Sequence, residues 1–287
     1  MMTYDWTWVD SSDKMNKAQN ALAQVREISV DTEYDSFRYF REKLCLLQIR
    51  AGQETYLFDP LCCMDMSPLG KIFSDPGILK ILHAGDNDIR ILKRDYGFSF
   101  NHLFDTSRAA SILGCRYLSL AALIHQYLGI EFEKQKKLQR SKWEIRPLTQ
   151  EQITYAVRDT ALLVPLYEVL SRELVANNLM DEARKAFVDI AQVIWQEKTY
   201  DSRGCYRIPG YSDLSPAEQL RLKKLFRWRF NKAEESNRAV FMILSDAELL
   251  NLTQVTADSP TRLISEGAMS PDKVSRYGRE LLEILSP

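Results

Sequence analysis

Short apolar runs separated by polar turns dominate the first 60 residues of the chain. The segments EISVDTEY, KLCLLQIRA and TYLFDP occupy residues 27–34, 43–51 and 55–60. Each has the length and the apolar character of a strand. Because the connections between them are short, we predict that they are antiparallel neighbours in one sheet.

From residue 78 onward, strand-like and helix-like patterns alternate. We interpret ILKILHAG as the end of a helix that runs into a short buried strand. Ile89, Ile91 and Leu92 have the spacing of a helix that starts near Asn87 and stops near Gly97. HLFD predicts another short strand, and TSRAASILG and LSLAALIHQYLG predict two further helices. Such alternation after an antiparallel start predicts an α/β fold, with helices on both sides of a mixed sheet.

A polar and basic stretch, residues 131–147, interrupts this pattern and is interpreted as a loop or an irregular helix. Thr149 and Gln152 then fit a capping box that opens a long helix, and Pro165 is expected to kink that helix. A further helical pattern covers residues 181–195.

Glycine and proline punctuate residues 199–213, which is typical of a linker. The remainder has helical patterns only, with helix-start signals at Ser215, Ser245 and Ser270. The predicted organisation is an α/β domain over residues 1–198, a linker over 199–210 and an all-α bundle over 211–287.

Composition and charge narrow the classes of function. A formal net charge of −1 gives no global signature of nucleic-acid binding, so such binding must come from local patches. Five cysteines without a C-x-x-C pair, and only three histidines, disfavour a disulfide scaffold or a zinc site. Reduced thiols are typical of a cytoplasmic protein. We find no signal-peptide pattern, no apolar run of membrane-span length and no G-x-x-x-x-G-K-[ST] motif for a nucleotide cofactor.

Acidic residues in three separated patches carry the candidate chemistry. Asp31 and Glu33 lie two apart on a predicted strand, so their side chains share one face. Taken alone, such a triplet fits a solvated strand edge better than a site. The apolar run that leads through Val30 into the acidic pair argues against that alternative.

The other two patches are equally open when each is taken alone. Asp88 lies at a predicted helix start, where the helix dipole favours a carboxylate, and Asp86 competes with it in the same loop. Tyr155 and Asp159 are four apart on a helix and share a face, which also fits a half-buried tyrosine beside a surface carboxylate. Four carboxylates in one place would repel each other unless cations lay among them. Two metal ions flanked by carboxylates cut phosphodiester bonds, so a metal-dependent nuclease is the candidate.

The order and context of the patches resemble the three motifs of the DEDD superfamily of 3′–5′ exonucleases, in the branch with tyrosine in the third motif. KLCLLQI, LHAG, FDTSRAASILG and RPLTQEQITYAVRDTALLVPLYEVL resemble ribonuclease D, over residues 25–172. LSPAEQLRLKKLFRWRFNKAEE and SRYGRELLEI resemble an HRDC domain. The resemblance implies a ribonuclease H-like exonuclease domain followed by one HRDC bundle, where ribonuclease D enzymes often carry two.

The resemblance also implies a role for each site residue. Asp31 is expected to bridge two metal ions. Glu33 and Asp159 are expected to complete the ion that holds the attacking water, and Asp88 to act through water on the other ion. Tyr155 would orient the attacking water. Ligands that are all oxygens suit Mg²⁺ or Mn²⁺.

The reaction implied by the resemblance is removal of 5′-mononucleotides from an RNA with a free 3′ end. Precursors of tRNA or other structured RNAs are the expected substrates, and we expect a monomeric protein in the cytoplasm. Two alternatives stay open: a 3′–5′ exonuclease directed at DNA, and a non-catalytic RNA-binding protein.

Basic residues suggest where nucleic acid is held. Some, including Lys134, surround Trp143 before the third motif, and others crowd the first helix of the bundle. The alternative for such runs is a solvated face, although phosphate contact becomes comparably plausible beside a nuclease site. Trp143 either stacks on a base or belongs to the core. The candidate nucleic-acid-binding residues are His83, Arg140, Trp143, Lys223, Lys224 and Arg227.

Overall fold

The chain divides into two structural units. The residues described by the computed structural model are 4–62, 64–131, 136–255 and 259–285. The first unit comprises Met1–Asp35 and Lys43–Gln196, and the second comprises Ser36–Glu42 and Glu197–Pro287. No sequence signal marked Ser36–Glu42 as part of the second unit. The domain bounds inferred from the sequence stay a prediction.

A six-stranded mixed sheet forms the centre of the first unit. Its strands are β1 (Asp5–Val9), β2 (Glu27–Asp35), β3 (Lys43–Ala51), β4 (Glu54–Phe58), β5 (Leu79–Leu82) and β6 (Leu103–Asp105). Across the sheet their order is β1-β4-β3-β2-β5-β6. The predicted antiparallel pairing of β2 with β3 and of β3 with β4 is confirmed. The other three pairs, β1 with β4, β2 with β5 and β5 with β6, are parallel.

Helices accompany the sheet along the whole first unit. They are α1 (Ser12–Leu22), α2 (Leu69–Ser74), α3 (Asp86–Tyr96), α4 (Thr106–Ile112), α5 (Leu120–Leu128), α6 (Lys136–Gln139), α7 (Gln150–Ala161), α8 (Leu163–Ala176) and α9 (Met180–Gln192). The predicted helix ends at Gly97 and Gly129 are confirmed, because both glycines adopt left-handed φ angles, of 66° and 67°, that cap α3 and α5. The capping box of Thr149 and Gln152 opens α7 as expected.

The predicted kink at Pro165 is wrong. The chain instead breaks at Leu162, which separates α7 from α8 with φ −104° and ψ 4°. Pro165 lies in the first turn of α8, where a missing backbone N–H removes no helical hydrogen bond.

The two faces of β2 serve different purposes. Ile28 and Val30 are buried in the large apolar core of the unit. Asp31 and Glu33 occupy the opposite face, because side chains alternate along a strand. In the register of the sheet Glu33 lies opposite Leu46, which packs with apolar residues of α7. The acidic pair is therefore on the side of the sheet that α7 covers.

The second unit is built from helices. Two 3₁₀ turns, Gly204–Arg207 and Tyr211–Asp213, precede α10 (Pro216–Glu235), α11 (Val240–Ile243), α12 (Asp246–Gln254), α13 (Pro260–Ser265) and α14 (Pro271–Leu285). The predicted capping boxes at Ser215 and Ser245 are confirmed. Among the described residues, no helix has both the length and the apolar composition needed to cross a membrane.

The segment Ser36–Glu42 is held in the second unit by packing and by polar contacts. The ring of Phe40 lies edge-on to Phe230, with centroids 5.2 Å apart. The backbone N–H of Arg41 donates to Asn237 Oδ1 at 2.8 Å, and its guanidinium pairs with Glu197 at 2.9 Å. The chain between β2 and β3 thus forms part of the helical core.

Candidate metal centre and active site

Three carboxylates converge where β2 meets α7. The ligand oxygens of Asp31, Glu33 and Asp159 all lie within 4.8 Å of one another. The first two project from one face of β2, and the third comes from α7, which packs on β2 and β3. A register shift between Glu33 and Tyr34 interrupts the pairing of β2 with β3 directly after the acidic pair.

Asp88 joins this cluster from the first turn of α3. It is buried, and it accepts a hydrogen bond from the hydroxyl of Thr32. Its negative charge lies close enough to Asp31 to raise the pKa of that carboxyl. The competing Asp86 is partly exposed and faces Arg108 at 3.5 Å. Of the two aspartates in this loop, the structure brings Asp88 to the cluster.

The turn before α3 is fixed by a residue that sequence reasoning missed. Asp105 accepts hydrogen bonds at 2.8 Å from the backbone N–H groups of Gly85 and Arg108. The turn is tight at Gly85, where a Cβ atom would lie 2.6 Å from the side chain of Leu82. A signal existed, since an aspartate directly before the helical pattern TSRAAS is a typical N-cap. Asp105 thereby anchors Gly85, the residue directly before α3.

Tyr155 lies beside the carboxylates on α7. Its hydroxyl donates a hydrogen bond to Asp159, and its ring packs against Trp143 with centroids 6.0 Å apart. Burial, followed by the charges of Asp159 and Glu33, raises the pKa of Tyr155 above its ordinary value of 10. The phenol therefore keeps its proton at neutral pH.

Burial raises the pKa of every carboxyl in the cluster. Burial dominates for each of them, and the neighbouring carboxylates add to it for Asp31 and Glu33, whose pKa values lie well above the ordinary range. The pKa values of Asp88 and Asp159 rise to about 6. One oxygen of Asp159 is buried without a hydrogen-bond partner among the described residues. Oxygen ligands that lack compensating charge fit divalent cations such as Mg²⁺ or Mn²⁺.

These raised pKa values predict how the stability of the metal-free protein depends on pH. Between about pH 4 and pH 6 the folded protein holds more protons on Asp88 and Asp159 than the unfolded chain does. The free energy of unfolding should therefore fall as pH rises through this window. Denaturant unfolding in a chelator gives the free energy of unfolding of wild type and of Asp159→Asn at each pH. The difference between the two proteins should change across this window as Asp159 titrates, with wild type losing stability relative to the variant as pH rises.

The comparison of the two proteins is needed because His83 changes the free energy of unfolding with pH in the opposite direction. Burial lowers the pKa of His83 to about 4, so this group favours the folded state increasingly as pH rises towards its unfolded pKa. Since both proteins contain His83, its contribution cancels. A gap between wild type and Asp159→Asn that stays constant across the window would contradict the assignment.

Two of the candidate nucleic-acid contacts of the first unit are poorly suited to that role. Trp143 is 1% exposed and packs in the apolar cluster with Leu46 and Val157, so the core alternative describes it and stacking on a base does not. His83 is half-buried, with Nδ1 2.9 Å from Thr106 Oγ1. With a pKa of about 4, it offers no positive charge to a phosphate at neutral pH.

The remaining basic candidates are exposed. Arg140 is solvent-exposed on the first unit, whereas Lys134 lies outside the described residues. In the second unit Lys223, Lys224 and Arg227 are exposed on α10. The Arg227 guanidinium lies over the ring of Tyr200 at 4.4 Å, and the Lys223 ammonium lies over the ring of Tyr206 at 5.3 Å. Exposed cations of this kind can contact the phosphates of a nucleic acid.

The mixed sheet, the acidic cluster on β2 and α7 and the adjacent tyrosine define the class of ribonuclease H-like 3′–5′ exonucleases. Residues 6–175 match the family model described as 3′-5′ exonuclease, and residues 218–285 match the HRDC domain. The chain belongs to the 3′–5′ exoribonuclease family that includes ribonuclease D.

Curated relatives support this membership. Ribonuclease D of Haemophilus influenzae is 30% identical over 269 residues, which cover 93% of this chain and 67% of that protein. The exosome complex component 10 homolog of Drosophila melanogaster is 30% identical over 260 residues, which cover 86% of this chain. The chain spans only 28% of the length of the Drosophila protein.

Solved structures share the fold. The catalytic core of RRP6 from Trypanosoma brucei superposes with a TM-score of 0.89 at 24% identity, over 99% of this chain and 79% of that one. Ribonuclease D of Escherichia coli superposes with a TM-score of 0.70 at 28% identity, over 99% of this chain and 74% of that one.

Proposed function

We propose that this chain is a 3′–5′ exoribonuclease that hydrolyses the last phosphodiester bond of an RNA and releases a 5′-mononucleotide. The observation that carries the proposal is the convergence of the Asp31, Glu33 and Asp159 oxygens within 4.8 Å, beside the hydroxyl of Tyr155. RNA is favoured over DNA because curated relatives are named ribonuclease D and exosome exonuclease.

The side chains of the site have distinct tasks in this reaction. Asp31, Glu33, Asp88 and Asp159 would hold two divalent cations, which when bound supply charge balance and a more acidic water. Tyr155 keeps its proton and orients the attacking water by hydrogen bonding. The water oxygen forms a bond to phosphorus, and the bond from phosphorus to the 3′ oxygen of the preceding nucleotide breaks. That oxygen takes up a proton and becomes the new 3′ end.

We further propose that the substrates are structured RNAs with a 3′ extension, such as tRNA precursors. The support is the likeness to the Escherichia coli ribonuclease D, which is described as an exoribonuclease involved in structured RNA processing. A cytoplasmic location is part of the proposal and is supported by four described cysteines that form no disulfide, Cys45, Cys62, Cys115 and Cys205.

Digestion of matched substrates tests the activity. A single-stranded RNA, the DNA of the same sequence and a circular RNA, each labelled internally or at the 5′ end, are incubated with and without Mg²⁺. We expect a ladder that shortens the linear RNA from its 3′ end, only with Mg²⁺, and an intact circle. Faster loss of the DNA would favour the DNA-directed alternative. Binding of RNA without cleavage would favour the non-catalytic one.

The exposed cations of α10 lead to a prediction about RNA affinity. Replacing Lys223, Lys224 and Arg227 together with glutamine should weaken binding of long or folded RNA. It should also flatten the plot of log affinity against log salt, because each neutralised phosphate of a single strand contributes about −0.7 to that slope. Filter binding across a salt series, on a tRNA-like RNA and on a short unstructured RNA, measures both quantities.

A point-substituted chain is a better test of α10 than a truncated one. Deleting the helical unit would also remove the packing of Phe40 and the ion pair of Arg41 with Glu197. Replacement of three exposed cations disturbs neither contact. Equal slopes for wild type and variant would show that this face of α10 is solvated and does not contact RNA.

A further inference from the structure

A buried amide without a partner lies on the same sheet face as the acidic cluster. Gln48 of β3 is completely buried, and neither its Nε2 nor its Oε1 has a hydrogen-bond partner among the described residues. A buried polar group that lacks a hydrogen-bond partner destabilises the folded protein. Such a group on a central strand calls for a physical reason.

The register of the sheet places Gln48 directly opposite Asp31. The two residues are cross-strand partners in the antiparallel pair of β2 and β3, so their side chains point to the same face. Their Cβ atoms are ~5 Å apart in such a pair, a gap that an amide and a carboxylate span together. On its other side Gln48 faces Leu57, which is apolar and buried.

Arg50 and Ser29 are further polar side chains on this face, and of the two only Arg50 has hydrogen-bond partners in the described part of the chain. Arg50 donates to Thr55 Oγ1 at 3.0 Å and to Gln53 Oε1 at 3.3 Å. Ser29 is also completely buried, and its hydroxyl lacks a partner among the described residues. Ser29 is the diagonal neighbour of Gln48 across the pair and lies within reach of a long side chain.

We propose that Gln48 is a positioning residue for the metal site: its amide N–H donates to the Asp31 carboxylate when that carboxylate turns to bind cations. The Ser29 hydroxyl donates to Gln48 Oε1 in the same arrangement, so that one chain of hydrogen bonds satisfies all three unpartnered atoms. The bond fixes which oxygen lone pairs Asp31 presents to the ions. The inference rests on the proposed function, because it requires Asp31 to bind metal.

Substitution of Gln48 by methionine tests the proposal. Methionine fills a similar volume without polar atoms. We expect the dissociation constant for Mn²⁺, measured by titration calorimetry on the full chain, to rise about 10-fold or more, as for other groups that orient a metal ligand. The melting temperature in a chelator should not fall, because two unsatisfied buried atoms are removed.

Thr55→Val is the matched control. Thr55 is buried on the same face, one strand away, and its hydroxyl is bonded to Arg50. This variant should lose stability in the chelator and keep the Mn²⁺ affinity of wild type, which is the reverse of the pattern expected for Gln48→Met. The two variants together separate metal positioning from ordinary packing.

Three outcomes decide the matter. Wild-type Mn²⁺ affinity in folded Gln48→Met would overturn the proposal and leave Gln48 as a structural amide. If Gln48→Met fails to fold, Ser29→Ala decides instead, because an unchanged Mn²⁺ affinity there would also overturn it. Asp31→Asn separates the metal site from the positioning role of Gln48, since wild-type Mn²⁺ binding by this variant would refute the metal site itself.

Discussion

Replacement of Asp31 by asparagine is expected to abolish RNA cleavage while leaving the metal-free protein at least as stable as wild type. The carboxylate lies within 4.8 Å of those of Glu33 and Asp159. Burial, and then the charges of Asp88 and Asp159, raise its pKa, so its charge destabilises the fold without cations. Loss of several kcal/mol of cation-dependent stabilisation corresponds to about 10³-fold or more in rate. Glu33→Gln, Asp88→Asn and Asp159→Asn should behave alike.

Single-turnover decay of a 3′-extended RNA measures the rate, and thermal unfolding in a chelator, followed by circular dichroism, measures stability. Asp86→Asn is the matched control from the same loop as Asp88, because Asp86 is paired with Arg108 instead of joining the cluster. It should cleave at the wild-type rate. Full activity in any folded cluster variant would remove that residue from the site. An inactive Asp86→Asn would show that the wrong aspartate was chosen.

Local periodicity predicted which acidic residues share a face, and the resemblance to the DEDD motifs predicted that the three patches meet in one cluster. Alternation along a strand places Asp31 and Glu33 on one face, and helical spacing places Tyr155 and Asp159 on one face. Asp88 needed more than periodicity, since Asp86 satisfies the same helix-start pattern. What separates the two is the hydrogen bond from Thr32 and the ion pair to Arg108. Both are contacts between distant parts of the chain.

Other features depended on non-local pairing and could not be predicted. β1 is an edge strand of the sheet that pairs in parallel with β4, more than 40 residues later, in a segment without a clear strand pattern. Gln48 is a single polar residue in the apolar run KLCLLQIRA, and only the register shows that it faces Asp31. The assignment of Ser36–Glu42 to the helical unit likewise follows from tertiary contacts of Phe40 and Arg41.

Around Trp143 the sequence suggested a surface role, whereas the tertiary structure shows a buried one. Basic residues on both sides of a tryptophan suggested a surface that meets nucleic acid, yet the indole is buried against Tyr155. Arg146, from the same stretch, is occupied by Asp59 at 2.8 Å and by the carbonyl oxygen of Cys45 at 2.6 Å. Trp143 therefore packs between α7 and the strands β3 and β4, and it contacts the ring of Tyr155.

Removal of the Tyr155 hydroxyl is expected to slow cleavage by ~10²–10⁴-fold, the range typical of a positioned acid–base or orienting group. Tyr155→Phe keeps the ring that packs on Trp143 and loses only the hydroxyl, which donates to Asp159 and is proposed to orient the attacking water. Since the phenol is assigned to the water, Mn²⁺ affinity should stay within a few-fold of wild type. The pKa of Tyr155 is raised above 10, so the phenol does not titrate near neutral pH in wild type. The variant should therefore show the same pH dependence of the rate as wild type near neutrality.

The measurement is single-turnover cleavage with chemistry limiting, combined with Mn²⁺ titration calorimetry on the same preparation. Tyr127→Phe is the matched control, because its hydroxyl contacts Cys115 Sγ at 3.0 Å in the same unit and has no assigned role in cleavage. It should retain the wild-type rate. A wild-type rate in Tyr155→Phe would reduce Tyr155 to a packing residue of α7. A lost rate together with lost Mn²⁺ binding would instead mean that the hydroxyl acts by holding Asp159 in place as a ligand.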